Sequence, residues 1–260
     1  MSLKLRSKPD DLDKSKIIWR YIDLSKFLDL LETEELFFCR VDKLFDNHEG
    51  AITKAQRELD RAIIKSVSYL GQRIIDIDHE EDKKYAFVNC WHLSEIEDYA
   101  MWRIYGASTN SIAIRSTIDA FEKSLIIEPA VRKQLDIERV FYIDHKKEEF
   151  KLIDVKNPQY FHKIKIYKYE KELRALIKNE FNLEDHSDEN HLKIKFGEYG
   201  VRVPININML IKEIYVSPNC PEWFYSMIKK LVVKRYNHKI EINRSIADND
   251  PVFNQRTEHA

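Results

Sequence analysis

Apolar and polar positions recur along this chain with periods that assign most of its elements. Residues 17–22, IIWRYI, are apolar on both faces of a strand except at Arg20, which shares its face with Ile18 and Ile22. Asp23 then stands as N-cap to a helix with Leu24, Phe27, Leu28 and Leu31 on one side. Residues 35–41 read as a second strand, leading into a loop with Asp46, His48, Glu49 and Gly50. Helix spacing returns over 52–72 through Ala55, Leu59, Ala62, Ile63, Val67 and Leu70, and the charged run 76–84 reads as solvated.

The stretch 88–117 is the most informative. Residues 85–91 form an apolar strand with aromatic ends. Ser94 and Glu97 have the spacing of a capping box, in which hydroxyl and carboxylate satisfy the helix's first orphan N–H groups reciprocally. The helix they predict runs through Met101, Trp102 and Tyr105, with Trp102 and Tyr105 one turn apart on a core-facing side, and Gly106 ends it by adopting positive φ. Residues 112–114 are a short strand ending at Ser116 and Thr117, and 118–125 continue as a helix that either hydroxyl is placed to cap.

Further on, 140–143 reads as a strand, 148–157 as a connector of no clear class, and 160–168 as a helical turn. Residues 169–177, YEKELRALI, fit helix and strand periods alike; as a strand they put Glu170, Glu172 and Arg174 on one side. After the polar run 179–190, residues 192–196 and 201–205 form a hairpin around Gly197 and Gly200. Residues 211–216 read as a strand, Pro221 opens a helix with Trp223, Met227, Leu231 and Val232 inward, and 240–242 is a last strand. There is no internal repeat and no clear linker. The expected architecture is α+β: a polar lead-in over 1–15, a single mixed domain over 16–250 with a central, largely antiparallel sheet flanked by helices, and a tail over 251–260.

Composition narrows the function classes. The 43 Lys and Arg nearly cancel the 44 Asp and Glu, so no global field draws the chain to nucleic acid or membrane. Three scattered cysteines, Cys39, Cys90 and Cys220, make no disulfide framework, and the polar N-terminus makes no signal peptide; both point to a reduced, cytoplasmic protein. The five glycines contain no G-x-G pair and none precedes Lys-Ser or Lys-Thr, which excludes the usual dinucleotide and P-loop fingerprints.

Candidate chemistry rests on three places. Arg20 on a buried face needs an anionic partner, either a carboxylate such as Asp46 or Glu49 or a ligand phosphate gripped by two parallel hydrogen bonds. Ser116 and Thr117 lie at a strand end. Glu170 and Glu172 pair carboxylates with Arg174 next to them, which is also the pattern of an ordinary surface ion-pair ladder. Cys90 and His92 face one way on a strand but are too few for a metal site.

Several segments carry a resemblance. WRYIDLSKFLDLLETEELFFCRVDKLFDNHEG from Trp19, the Cys90-Trp91 strand end, Met101-Trp102 with Tyr105, IAIRST from Ile112, YEKELRALI and IYVSPNCPEWF together resemble the bacterial domain-of-unknown-function family DUF2971 across most of the chain, with Ser111 where that family usually has glycine. The order Arg20, then Ser116-Thr117, then Glu170-x-Glu172 also resembles the R, S-T-S, E-x-E order of ADP-ribosyltransferases, with Ile118 in place of the last serine. That resemblance implies NAD as substrate. Arg20 would hold the diphosphate, Ser116 the nicotinamide end, and Tyr21, Thr117, Trp102 and Tyr105 would complete the NAD-binding set. Glu172 would stabilise the cationic sugar and Glu170 would serve a protein or nucleic-acid acceptor, with no metal required. A toxin or phage-defence effector is the implied setting. Glu172→Gln is then expected to abolish turnover and spare the fold. The alternatives are a metal-dependent nuclease built on Asp46, Glu49, Glu170 and Glu172, and a non-catalytic binding module.

Overall fold

A computed structural model describes residues 12–58, 81–106, 109–150, 156–179 and 195–249. In chain order the elements are β1 (Ile17–Asp23), α1 (Leu24–Thr33), β2 (Glu35–Arg40), β3 (Ala86–Leu93), α2 (Tyr99–Met101), β4 (Ser111–Thr117), α3 (Ile118–Ser124), α4 (Pro129–Arg132), β5 (Leu135–Arg139), β6 (Phe141–Ile143), β7 (His162–Ile164), β8 (Glu172–Lys178), β9 (Lys195–Phe196), β10 (Gly200–Pro204), α5 (Ile207–Leu210), β11 (Glu213–Val216), α6 (Glu222–Lys229) and β12 (Glu241–Arg244). The fold is α+β, with a largely antiparallel mixed sheet and flanking helices. Contacts group the chain into two compact units, one containing Leu36–His92 and Ile126–Pro204, the other Lys14–Glu35, Leu93–Leu125 and Ile205–Ala260.

In the unit that holds β1, the strand order is β12-β11-β4-β1, parallel only between β11 and β12. The register sets Ile18 opposite Ser116, Arg20 opposite Ile114 and Ile22 opposite Ile112, so all six share one face, as alternation required. Asp23 caps α1 by accepting from Lys26 N at 2.8 Å, and Phe27, Leu30 and Leu31 are the side that α1 buries. The opposite face of the strands carries an aromatic cluster: Trp19, Tyr21, Met101, Trp102 and Ala113.

Three local expectations fail in this unit. The helix cap after β3 is Asp98, whose Oδ1 accepts from Ala100 N and Met101 N, not the box of Ser94 and Glu97. Ser94 lies in extended chain against β1, its N–H donating to Ile17 O and its carbonyl accepting from Trp19 Nε1. Glu97 reaches Trp102 Nε1 and Ser245 Oγ. Gly106, which closes a π-helical turn over Trp102–Gly106, does not have positive φ; among the described glycines that belongs to Gly50. What Gly106 provides is room, since a Cβ there would lie 2.7 Å from Ser111 Oγ. Finally, α6 buries Phe224 and Ile228, with Val232 in the π-helical continuation Lys230–Arg235, whereas Trp223 is 60% exposed. Of the side expected inward Val232 is buried and Met227 and Leu231 are half-buried; the equally apolar stripe one position later is the one that faces the core.

The other unit is ordered β5-β8-β3-β2-β10-β9, with β6 and β7 as a small parallel pair. β8 lies between β3 and β5 and is buried at every position, which explains why its sequence lacks clean alternation. The expected strand over 169–177 therefore begins later, at Glu172; Tyr169 and Glu170 belong to a 3₁₀ turn, Lys165–Glu170, ended by Lys171 at φ 40°. The turn expected over 160–168 is interrupted by β7, and β5 was not foreseen. The hairpin around Gly197 and Gly200 forms, and the strand expected over 211–216 starts at Glu213 after α5. Of the helix expected over 52–72, residues 54–58 are helical and 59–72 lie outside the described residues, as do 1–11, 76–80, 151–155, 180–194 and 250–260 of the other expected segments.

Candidate active site

The chemistry-bearing residues of the second unit converge on β8. Strand alternation puts Glu172 and Arg174 on one face, opposite His92 and Cys90 of β3. Arg174 is wholly buried and all of its nitrogens are engaged: Nε donates to Glu172 Oε1 at 2.7 Å, Nη1 to Glu49 Oε2 at 2.7 Å and to Tyr160 O at 2.6 Å, and Nη2 to Glu49 Oε1 at 3.0 Å. The two-pronged grip on Glu49 is the strongest geometry a guanidinium offers a carboxylate. Gly50, at φ 64° and with Tyr160 too close to admit a Cβ, lets the loop turn so that Glu49 enters this cluster.

Lys163 of β7 completes the group. Its Nζ lies 2.7 Å from Glu170 Oε2, 3.1 Å from Glu172 Oε2 and 3.2 Å from Glu49 Oε1. The left-handed Lys171 turns the chain between the two glutamates so that both carboxylates meet one ammonium although only Glu172 is on the strand. Three carboxylates face two cations. His92 Nδ1 sits 2.6 Å from Glu170 O, a carbonyl that only accepts, so the ring proton is on that nitrogen. Tyr142 Oη accepts from Glu172 N at 2.9 Å.

Electrostatics follow from burial and pairing. Burial alone pushes the Glu172 carboxyl up, but Arg174 and Lys163 outweigh it and hold it well below the usual carboxylate range. The same balance, read from the other side, raises Lys163: burial opposes its charge, and Glu172, Glu49 and Glu170 overcome it. Burial, then the neighbouring Glu172, pushes the Cys90 thiol well above its ordinary value, which makes it a poor nucleophile.

The remaining sequence-derived site residues belong to the unit of β1. Arg20 is half-buried on the face of Ile18 and Ile22. Tyr21 packs edge-on against Trp102, ring centroids 5.0 Å apart, and its hydroxyl accepts from Asp98 N at 2.7 Å. Ser116 is buried and donates to Leu210 O, and Thr117 Oγ1 caps α3 by accepting from Ala120 N at 3.1 Å. Trp102 is in the core as expected; Tyr105, expected beside it, is 43% exposed because the π-helical turn rotates it away. The structure thus brings Tyr21 to Trp102, and Glu170 to Glu172. Sequence reasoning missed Lys163, which sits in the lysine-rich run KIKIYKYEK and looks like a solvated residue. It also offered Glu49, alongside Asp46, as a carboxylate for Arg20; Glu49 is taken up by Arg174 and Lys163. Among the described residues no group of three or more His, Cys, Asp and Glu side chains is arranged to hold a metal ion, and no helix is long and apolar enough to cross a membrane. No family model, curated protein or solved structure matches the chain.

Proposed function

We propose that the Glu170–Glu172 pair is the reacting end of an ADP-ribosyltransferase-like or NAD glycohydrolase-like protein of the family the sequence resembles, DUF2971. The observation that carries this reading is the convergence of two glutamates on Lys163, with Glu172 kept ionised by its neighbours. Opening an N-glycosidic bond builds positive charge on the sugar, and a fixed carboxylate stabilises that charge. Lys163 pairs with both carboxylates; an arriving diphosphate competes for its ammonium and leaves Glu172 to the ribose. Glu170 serves the acceptor.

A second reading, a non-catalytic interaction module, is favoured by the same hydrogen bonds seen from the other side. Both Glu172 oxygens are bound by cations, and the Ser116 and Thr117 hydroxyls are engaged with backbone. A nuclease with two magnesium ions draws no support from this cluster, because Lys163 and Arg174 stand among the carboxylates where divalent cations would need to be.

Nicotinamide release from labelled NAD tests the first reading. Glu172→Gln was expected to spare the fold; with Arg174 and Lys163 bound to that carboxylate it instead weakens a buried network. Glu49→Gln is therefore the matched control, since it removes a charge paired with the same two cations, Lys163 and Arg174, from a carboxylate outside the reacting pair. The expected result is turnover in the wild type, retained by Glu49→Gln and reduced at least about a hundredfold in Glu172→Gln. Equal activities of the two variants, or no release and no NAD-dependent rise in melting temperature in the wild type, would leave the interaction module standing.

A further inference from the structure

A surface helix needs one apolar stripe to fasten it to its core, and α6 with its π-helical continuation carries two. Phe224, Ile228 and Val232 are buried. Trp223, Met227 and Leu231 form a second stripe at i, i+4 and i+8, roughly 12 Å long by helical rise, and with Lys230, Lys234 and Arg235 they line a surface groove of about 520 Å³. Trp223 remains 60% exposed, although nothing in the anchoring of the helix requires a tryptophan there. The rim is cationic in a chain whose net charge is −1: residues 223–240 contain five Lys and Arg and no Asp or Glu. The π-helical turn, Lys230–Arg235, widens the helix at the end of the groove where the cations gather, a distortion that recurs at functional sites.

We propose that this groove docks an acidic amphipathic helix of a partner protein. An apolar floor with a cationic margin is complementary to a helix that presents leucine-like anchors on one face and carboxylates beside them. An exposed Trp beside Met gives the floor a large anchor and an adaptable one. Single-stranded nucleic acid fits less well: its affinity comes chiefly from many phosphate contacts and from aromatic side chains that stack successive bases. The groove has three cations at its rim and one exposed ring, and the near-neutral chain adds no long-range attraction. The inference is independent of the NAD reading.

The test is fluorescence anisotropy of a labelled helical peptide with leucines at i, i+3, i+4 and i+7 and glutamates between them, titrated with the full chain. Labelled oligothymidylate and phosphatidylserine vesicles are titrated in parallel. Saturable peptide binding is expected, weakened on the order of tenfold by Trp223→Ala and weakened also by Lys230→Glu with Lys234→Glu. All three positions are on the outer face of the helix, and each variant's circular dichroism is checked against the wild type. The proposal is overturned if the peptide does not bind, if neither variant moves its affinity, or if oligothymidylate or vesicles bind more tightly than the peptide and lose that binding in the same variants.

Discussion

Replacing Arg174 with methionine removes the hub of the buried charge cluster, and the structure sets the size of the loss. Four hydrogen bonds go: one to Glu172, two to Glu49 and one to Tyr160 O. What remains is three carboxylates, those of Glu49, Glu170 and Glu172, around the single ammonium of Lys163. Deleting one partner of a buried pair typically costs about 3–5 kcal/mol, because the other charge stays buried without compensation. That is a large part of the roughly 5–15 kcal/mol that holds a folded chain together. At about 2–4 °C per kcal/mol for a chain of this length, the melting temperature should fall by roughly 6–20 °C. The deficit has a pH signature. In the wild type the folded Glu172 carboxyl is held low, so its contribution is fully present above the ordinary carboxylate pKa and is lost as pH falls below it. The variant has lost that contribution already, so the gap between the two proteins should narrow on acidification below about pH 4.5. Changing Glu172 to leucine in the Arg174→Met chain removes the stranded charge as well and should recover much of the loss. Urea denaturation followed by circular dichroism measures all three proteins. An Arg174→Met midpoint equal to that of the wild type, or a double variant no more stable than the single one, would refute the description of this cluster as a mutually compensating buried network.

Three other perturbations test local features. Gly106→Ala should lower stability by about 1–3 kcal/mol, because the new Cβ meets Ser111 Oγ at 2.7 Å and Ser111 Cβ at 3.0 Å; adding Ser111→Gly should restore part of it in a thermal melt, which a positive-φ explanation would not allow. Asp98→Ala should cost about 1 kcal/mol through loss of the α2 cap, whereas Ser94→Ala should leave the melting temperature where it is. His145 is held below the usual histidine pKa by burial first and by neighbouring His48 second, against the pull of Asp46, Glu49 and Asp144. Because the folded form disfavours its protonation, stability should be full above about pH 6.5 and decline as pH falls through that value; a melting-temperature profile that His145→Gln does not flatten would contradict this.

The fold was legible where a local period and a local cap agreed. β1 and α1 are the clearest case: alternation fixed the face of Arg20, and Asp23 could be recognised as a cap from its own side chain. Ser94 and Glu97 had the right types at the right spacing, but the backbone at Ser94 is held in extended pairing with Ile17, and a tertiary hydrogen bond of that kind outranks a capping propensity. α6 failed for a different reason. Both of its apolar stripes have helix period, so hydropathy says that a face is buried without saying which. β8 was ambiguous because a strand buried on both faces has no alternation to read.

The site was legible in its parts and not in its balance. Glu170, Glu172 and Arg174 are close in sequence, and their proximity could be read directly, although only Glu172 and Arg174 are on β8. Glu49 is 125 positions from Arg174, in a loop with no period at all, and Lys163 sits in a run whose three other lysines, Lys165, Lys168 and Lys171, are exposed. Their membership in the cluster depends on Gly50 turning the loop inward and on β7 presenting Lys163 beside β8. That difference decides how the glutamates should be understood. A carboxylate pair without its cations reads as a reactive anion; the same pair with Lys163 and Arg174 in place, and Glu49 beside it, is an ion-paired network in which both Glu172 oxygens are already engaged. NAD turnover would therefore have to include a step that displaces Lys163, and Lys163→Met should raise the activity of each folded molecule if neutralisation restrains the pair, while lowering it if the lysine itself holds the diphosphate.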